Sequence, residues 1–370
     1  MGELRAHTLS TAGVFAVLPG DVDDEAAPSG GNVYDRRVCR ELAAAGLPVH
    51  EIAVRGAWPR PDADARAALA RSLAEVPSDA VVLLDGLVAC GVPDVVVPQA
   101  GRLRLAVLVH LPLGDEIGPE PGAAADLDAR ERATLQAAGA VVATSPWTAK
   151  RLAGHHGLAE DRIHVVSPGA DRAPAASGTD GASRLLCVGS VTPTKGHDLL
   201  VEALAAVREP SWHCEIVGPL SRDPAHAERL RRTVGRLGLG DRVRLAGPLT
   251  AERLAEQYAR ADLVVLPSRS ETYGMVVTEA LARGIPVLAT AVGGVPETLG
   301  QASDGGVPGI LVSPEDPAAI SAGLRRWFGD PGLRRRLRLS ALDRRDRLAP
   351  WQETARGLAA VLERLRGVTR

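Results

Sequence analysis

Short apolar runs alternate along the chain with longer stretches in which apolar residues recur every three to four positions. The first run, residues 13–18 (GVFAVL), predicts a buried strand. Residues 31–45 then carry Val33, Val38, Leu42 and Ala45 near helical spacing. Further runs at 80–84, 105–109, 140–143 and 163–166 read as strands, with helical patterns over 131–138 and 146–155 between them. Such alternation implies βαβ units and a parallel sheet with helices on both faces.

The texture changes at residues 167–183 (SPGADRAPAASGTDGAS), which are small, polar and rich in Pro and Gly, the composition of a linker. Alternation then restarts. Strands are expected at 185–188, 213–217, 243–246, 263–266 and 286–289, and helices at 198–207, 250–260 and 275–283. A last helix, 350–366, presents Leu358, Val361, Leu362 and Leu365 on one face. The expected fold is therefore α/β, two tandem Rossmann-like domains over 1–170 and 184–345 joined by a linker at 171–183. No short internal repeat is present.

Composition narrows the function classes. The 370 residues suffice for two domains that each bury a core, and 45% hydrophobic with 24% charged residues is the balance of a soluble globular protein. With 43 basic and 45 acidic residues, nothing points to a nucleic-acid partner. The polar start, residues 1–11, lacks a signal-peptide core, and no apolar stretch is long enough to span a bilayer. Cys39, Cys90, Cys187 and Cys214 are far apart in sequence, so reduced thiols and a cytoplasmic location are expected. No cluster requires a metal, and no cofactor is expected.

Chemistry concentrates in residues 267–282 (PSRSETYGMVVTEALA), which leave a strand end and turn into a helix at Gly274. The amides of Met275, Val276 and Val277 at that helix start would form an anion site. Glu271 and Glu279 beside it could accept hydrogen bonds from polyol hydroxyls. A polyol attached to phosphates suits the segment.

Glu271 and Glu279, with Tyr273 and Gly274 between them, resemble the E-x(7)-E signature of glycosyltransferase family 4. The match extends to its E-[GST]-[FY]-G-x-x-x-x-E-A pattern. The resemblance implies the GT-B fold, with the last helix, in 346–370, crossing back to the first domain. It implies that the second domain binds the donor nucleotide and the first faces the acceptor. Glu271 would then bind donor sugar hydroxyls, Glu279 the ribose, and the Gly274–Met275–Val276 backbone sugar or phosphate. The segment 187–196 (CVGSVTPTKG) resembles the family's first donor-domain strand and loop, with Lys195 at the pyrophosphate lysine. Leu249 falls where family backbone meets the base, and 291–297 (AVGGVPE) resembles the second glycine turn. In the first half, Gly30 and Gly31 resemble the glycine loop under the pyrophosphate, and His110 ends a strand as the family's active-site histidine does. Lys150 and Lys195 are the two lysines of an arginine-biased chain. A lysine retained in the phosphate loop fits a point-charge role there.

One departure stands out. Where the family usually has a pyrophosphate arginine this chain has Ser190; Arg269 is a candidate replacement, and Thr192 and Thr194 could add hydroxyl donors but no charge. The implied activity is retaining transfer of a glycosyl group from a nucleotide-sugar donor to an unidentified hydroxyl acceptor, recognised by loops at 56–64 and 111–122. A non-catalytic nucleotide-sugar binder, a sugar phosphorylase and a nucleotide-sugar epimerase are the alternatives. Three further features are assigned no chemistry. Asp21, Asp23, Asp24 and Glu25 read as a solvated acidic loop rather than a D-x-D metal site. The arginine-rich 334–347, interleaved with Asp343 and Asp346, reads as a solvated helix face rather than a peripheral membrane contact. Thr144, Ser145 and Pro146 read as a plain helix start.

Overall fold

A computed structural model describes residues 13–24, 26, 28–115 and 121–367. Residues 1–11, Glu25 and part of the 111–122 loop, all assigned above from sequence, lie outside the described residues. The first half runs β1 (Val14–Pro19), α1 (Gly30–Ala44), β2 (Val49–Val54), α2 (Ala63–Glu75) and β3 (Val81–Asp85). It continues with α3 (Gly86–Ala89), α4 (Pro93–Val96), β4 (Arg104–Val109), α5 (Pro121–Ala137), β5 (Ala140–Ala143), α6 (Pro146–His156) and β6 (Ile163–Val165). The second half runs β7 (Arg184–Val188), α7 (His197–Ala205), β8 (His213–Val217), α8 (Pro224–Arg236), β9 (Val243–Gly247) and α9 (Ala251–Arg260). It ends with β10 (Leu263–Leu266), α10 (Met275–Leu281), β11 (Val287–Thr290), α11 (Val295–Leu299), β12 (Gly309–Val312), α12 (Pro317–Gly329), α13 (Pro331–Arg345) and α14 (Trp351–Gly367).

The strands form two parallel six-stranded sheets, ordered β2-β1-β3-β4-β5-β6 and β12-β11-β10-β7-β8-β9. In both sheets the order reverses beside the first strand of the unit, and ligands of such sheets bind at the carboxyl ends near that switch point. Central strands β1, β3 and β10 are buried along their whole length, which is why they read as unbroken apolar runs. β2, which the periodicity missed, is an edge strand carrying His50 and Glu51 on a mostly half-buried surface. β12 is likewise an edge strand.

Local signals explain most element ends. Ser29 caps α1 by accepting from the Asn32 amide, and Gly157 closes α6 at φ 64°. The linker has no regular element, yet it is docked. The Asp262 carboxylate accepts from the amides of Thr179, Gly181 and Arg184, and the Ala176 amide donates to Arg283 O.

The last helix returns to the first sheet. Trp351, Ala355, Leu358, Val361, Leu362 and Leu365 share a core with Tyr34, Val38 and Leu42 of α1 and with residues of β1, β3, β4 and β5. Trp351 meets Tyr34 edge-on at 5.8 Å. Where the two crossing segments meet, a Cβ on Gly169 would lie 2.4 Å from the Trp351 nitrogen, so only glycine fits.

The expected solvated arginine face over 334–347 holds for Arg335, Arg336 and Arg347, which are exposed, but not for the rest. Arg334, Arg338, Arg344 and Arg345 are half-buried and donate to backbone carbonyls of Trp327, Ala176, Leu299 and Ala282. They clamp the end of the second unit rather than face solvent, because a guanidinium carries enough donors to satisfy several carbonyls at once. Among the described residues, no helix is long and apolar enough to cross a membrane.

Candidate functional site

The loop between β10 and α10 carries both signature glutamates. Gly274, at φ 83°, turns the chain into α10. The second glycine turn packs directly beneath. A Cβ on Gly293 would lie 1.7 Å from Glu271 O, and the Gly294 amide donates to that oxygen at 3.1 Å. α10 is seven residues long and ends at Leu281, short of the expected 283. The Val277 amide is not free as expected, since it donates to Gly274 O at 2.8 Å. Met275 and Val276 keep the place at the helix start.

Lys195 ends the short 3₁₀ turn Pro193–Lys195, and Gly196 follows at φ 64° against Pro267 O. Its Nζ lies 2.6 Å from Glu271 Oε1, which also accepts from Ser268 Oγ at 2.9 Å. Glu271 is 9% exposed, so its carboxylate is held where Lys195 and Ser268 fix it. Gly189 lies against the Lys195 side chain, and Ser190 O accepts from the Thr192 amide within the same turn. Arg269 is engaged elsewhere. Its guanidinium forks onto Asp198 at 2.7 and 2.9 Å and donates to Pro193 O at 2.7 Å. Its charge organises the lysine turn and is already matched by a carboxylate.

Glu279 accepts from Tyr258 OH at 2.6 Å, and Arg283 lies over the tyrosine ring at 4.5 Å. Burial raises the Glu279 carboxyl above its ordinary value, opposed by the Tyr258 hydrogen bond and the Arg283 charge. Leu249 packs half-buried against the β8–β10 side of the core. The Tyr273 hydroxyl donates to Pro168 O at 3.2 Å, which ties the loop to the end of the first unit.

From the first unit, Gly30 and Gly31 open α1. A Cβ on Gly30 would stand 3.6 Å from Met275 Sδ, and one on Gly31 only 3.1 Å from the His110 ring. His110 Nε2 lies 2.8 Å from Asp35 Oδ1 and 3.5 Å from Asp85 Oδ2. Burial lowers the His110 pKa, but the Asp35 charge and hydrogen bond, with Asp85, outweigh it and leave a net rise.

The structure brings the two sets of residues together at Thr272, next to Glu271. Thr272 Oγ1 donates to His110 O at 2.5 Å, while Ser145 Oγ donates to Thr272 O at 2.6 Å. The Trp147 amide adds a bond to Glu297 at 3.2 Å. Ser145 is thus more than the plain helix start expected of it. It caps α6 by accepting from the Thr148 amide and bridges the units. Asp35 and Asp85 were also missed, although a carboxylate at the end of an apolar run, as at Asp85, is the visible signal.

Asp21 and Asp23 pair with Arg222 and Arg36 on the exposed rim, as an acidic turn should. Among the described residues, polar atoms of Asp128, His155 and His156, and of Asp35, Asp85 and His110, converge within 4.8 Å. Carboxylate–imidazole contacts account for both groups, and no metal is assigned to either.

Two family models match the chain, "Glycosyltransferase Family 4" over residues 28–173 and "Glycosyl transferases group 1" over residues 171–343. The D-inositol 3-phosphate glycosyltransferase 1 of Catenulispora acidiphila is 34% identical over 63% of this chain and 59% of its own length. The D-inositol 3-phosphate glycosyltransferase of Streptomyces bingchenggensis is 33% identical over 72% of this chain and 61% of its own length. The matched part therefore spans about three fifths of these relatives. Among solved structures, a sucrose-phosphate synthase from Thermosynechococcus elongatus superposes with TM-score 0.78 at 23% identity, over 95% of this chain and 99% of the other. The Anabaena protein HepE in complex with UDP-glucose superposes with TM-score 0.75 at 18% identity, over 95% of this chain and 99% of the other. These likenesses establish the GT-B fold.

Proposed function

From the premise that this chain belongs to glycosyltransferase family 4, we propose that it transfers a glycosyl group, with retention, from a nucleotide sugar to a hydroxyl acceptor. The observation that carries the reading is the hydrogen bond from Thr272 to His110 O. It joins the Glu271 loop, Lys195 and α10 on one side to the glycine loop and His110 on the other, as a donor spanning both units requires.

Donor cleavage develops positive charge on the anomeric carbon and negative charge on the leaving phosphate. In this reading Lys195 and the amides at the start of α10 meet the phosphate, and Glu279 takes the ribose. Glu271, freed from Lys195 by the incoming donor, accepts from sugar hydroxyls. His110 orients the sugar near the reacting carbon, where the sugar joins the phosphates. No metal takes part. The relatives' names make an inositol phosphate the first acceptor to try, and the UDP-glucose complex of HepE makes UDP sugars the first donors.

A thermal-shift panel of UDP, GDP, ADP and their sugars tests donor binding. Ligand at about 100 times its Kd stabilises by roughly 2.7 kcal/mol. The reading expects one nucleotide family to raise the melting temperature, and it fails if none does. Dependence on free phosphate would favour a phosphorylase, and donor conversion without acceptor an epimerase.

A further inference from the structure

Beneath the cleft, two buried carboxyl groups contact one imidazole nitrogen. Asp35 is 1% exposed and Asp85 is 4% exposed. His110 Nε2 stands 2.8 Å from one and 3.5 Å from the other. Asp85 spends Oδ1 on the Val88 amide at 3.1 Å. Asp35 Oδ2 is buried and finds no donor. An ionised carboxylate does not leave an oxygen orphaned, and two like charges on one site do not both ionise. A proton on Asp85 resolves both difficulties.

We propose that Asp85 is protonated and donates to Asp35 Oδ2, and that this pair holds His110 as an imidazolium whose Nδ1–H faces the donor phosphates. Proton count and charge agree. One carboxylate, one carboxylic acid and one imidazolium sum to zero, the state a buried cluster favours. Nε2–H is committed to Asp35, so Nδ1–H is the ring donor left for the donor site in this proposal. The ring lies against Gly31 of the glycine loop. The second half of the proposal rests on the donor site proposed above. It supplies a cation to the leaving group beside Lys195, since Arg269 is held by Asp198.

Other groups around the ring fit. From α1, Tyr34 meets it edge-on at 5.2 Å and Cys39 lies near Asp35. Both have their protons held more tightly by burial, with the Asp35 charge acting the same way. The loop before α10 contributes the Thr272 hydroxyl, which carries no charge. Burial beside Asp35 raises the Asp85 carboxyl to about 7, and the two aspartates raise His110. Asp35 and Asp85 act as positioning residues.

The test reads the His110 ring directly by long-range 1H–15N spectroscopy of the full chain without ligand, with His110→Gln assigning the signal. The wild type should titrate above the ordinary 6.5. Asp85→Asn, whose amide mimics the protonated acid, should leave the midpoint in place. Asp35→Asn should move it down, and thermal melts verify that each variant is folded. A wild-type midpoint at or below 6.5, or an equal fall in both variants, overturns the carboxyl pair. UDP, ADP and GDP are then titrated from pH 6 to 9. Affinity falling through the His110 midpoint supports the phosphate-facing role, and nucleotide binding indifferent to that midpoint overturns it. Failure of every nucleotide to bind would remove the donor site, and this role with it, while the spectra still decide the carboxyl pair.

Discussion

The ammonium of Lys195 lies 2.6 Å from Glu271 Oε1, joining the turn after β7 to the loop after β10. The pair holds the two loops together, and in the proposed reaction an entering donor would exchange it for a phosphate on one side and hydroxyls on the other. Lys195→Ala should weaken nucleoside diphosphate binding roughly 10- to 100-fold, the range of a charge-assisted hydrogen bond. Arg269→Ala should cost less, because its guanidinium is matched by Asp198. Its loss should show mainly as about 1 kcal/mol of stability, reduced by the partial exposure of that carboxylate. Ser190→Ala should cost least. Calorimetric titration of the three variants with the nucleotide that binds wild type checks the order.

Ser145 Oγ accepts from the Thr148 amide, meets Thr148 Oγ1 at 2.9 Å and donates to Thr272 O. Ser145→Asp keeps the capping acceptor but cannot donate to Thr272. It should therefore fold with normal helix content and bind nucleotide sugar more weakly, while Ser145→Thr should restore binding. Equal donor affinity in Ser145→Asp and wild type would show that the bridge does not hold the donor loop.

The Tyr258 hydroxyl at 2.6 Å from Glu279 Oε2 fixes that carboxylate's orientation. Glu279→Ala should weaken nucleoside diphosphate binding about 10-fold or more. Tyr258→Phe should weaken it only roughly 3-fold, since the acceptor remains but is less well held. If Tyr258→Phe matches Glu279→Ala, the tyrosine does more than orient.

Trp351 is 4% exposed between α1 and the end of the first sheet. Its replacement by alanine leaves a cavity and should destabilise the first unit by about 3–5 kcal/mol. Denaturant unfolding should show the change in the transition that includes α14. An unchanged midpoint would mean that the returning helix adds nothing to the stability of that unit.

How legible these features were depended on where each residue's partners lie. β1, β3, β4, β5, β7, β8, β10 and β11 announce themselves because strands inside a parallel sheet are largely buried and read as apolar runs, while β6 and β9 are edges whose short apolar stretches still show. β2 and β12 are edges with mixed faces, and α2 and the first half of α5 are alanine-rich, so periodicity had little to detect. Glu271, Glu279, Gly274 and Lys195 were visible because strand-end loop chemistry is local in sequence. The pairing of Arg269 with Asp198, 71 residues away, and the convergence of Asp35, Asp85 and His110 were not. They depend on which strand ends the topology makes neighbours. Ser145 was seen as a cap, and its second bond reaches 127 residues along the chain.

The most direct measurement of the central claim is nucleotide release from the donor that binds, assayed with and without inositol phosphate and other polyol acceptors, in wild type and Lys195→Ala. Wild type should release nucleotide and form a glycoside only when donor and acceptor are both present, without added phosphate. Lys195→Ala should lower turnover roughly 10-fold or more. Binding without turnover across the acceptor panel, or turnover unaffected by Lys195→Ala, would contradict the account.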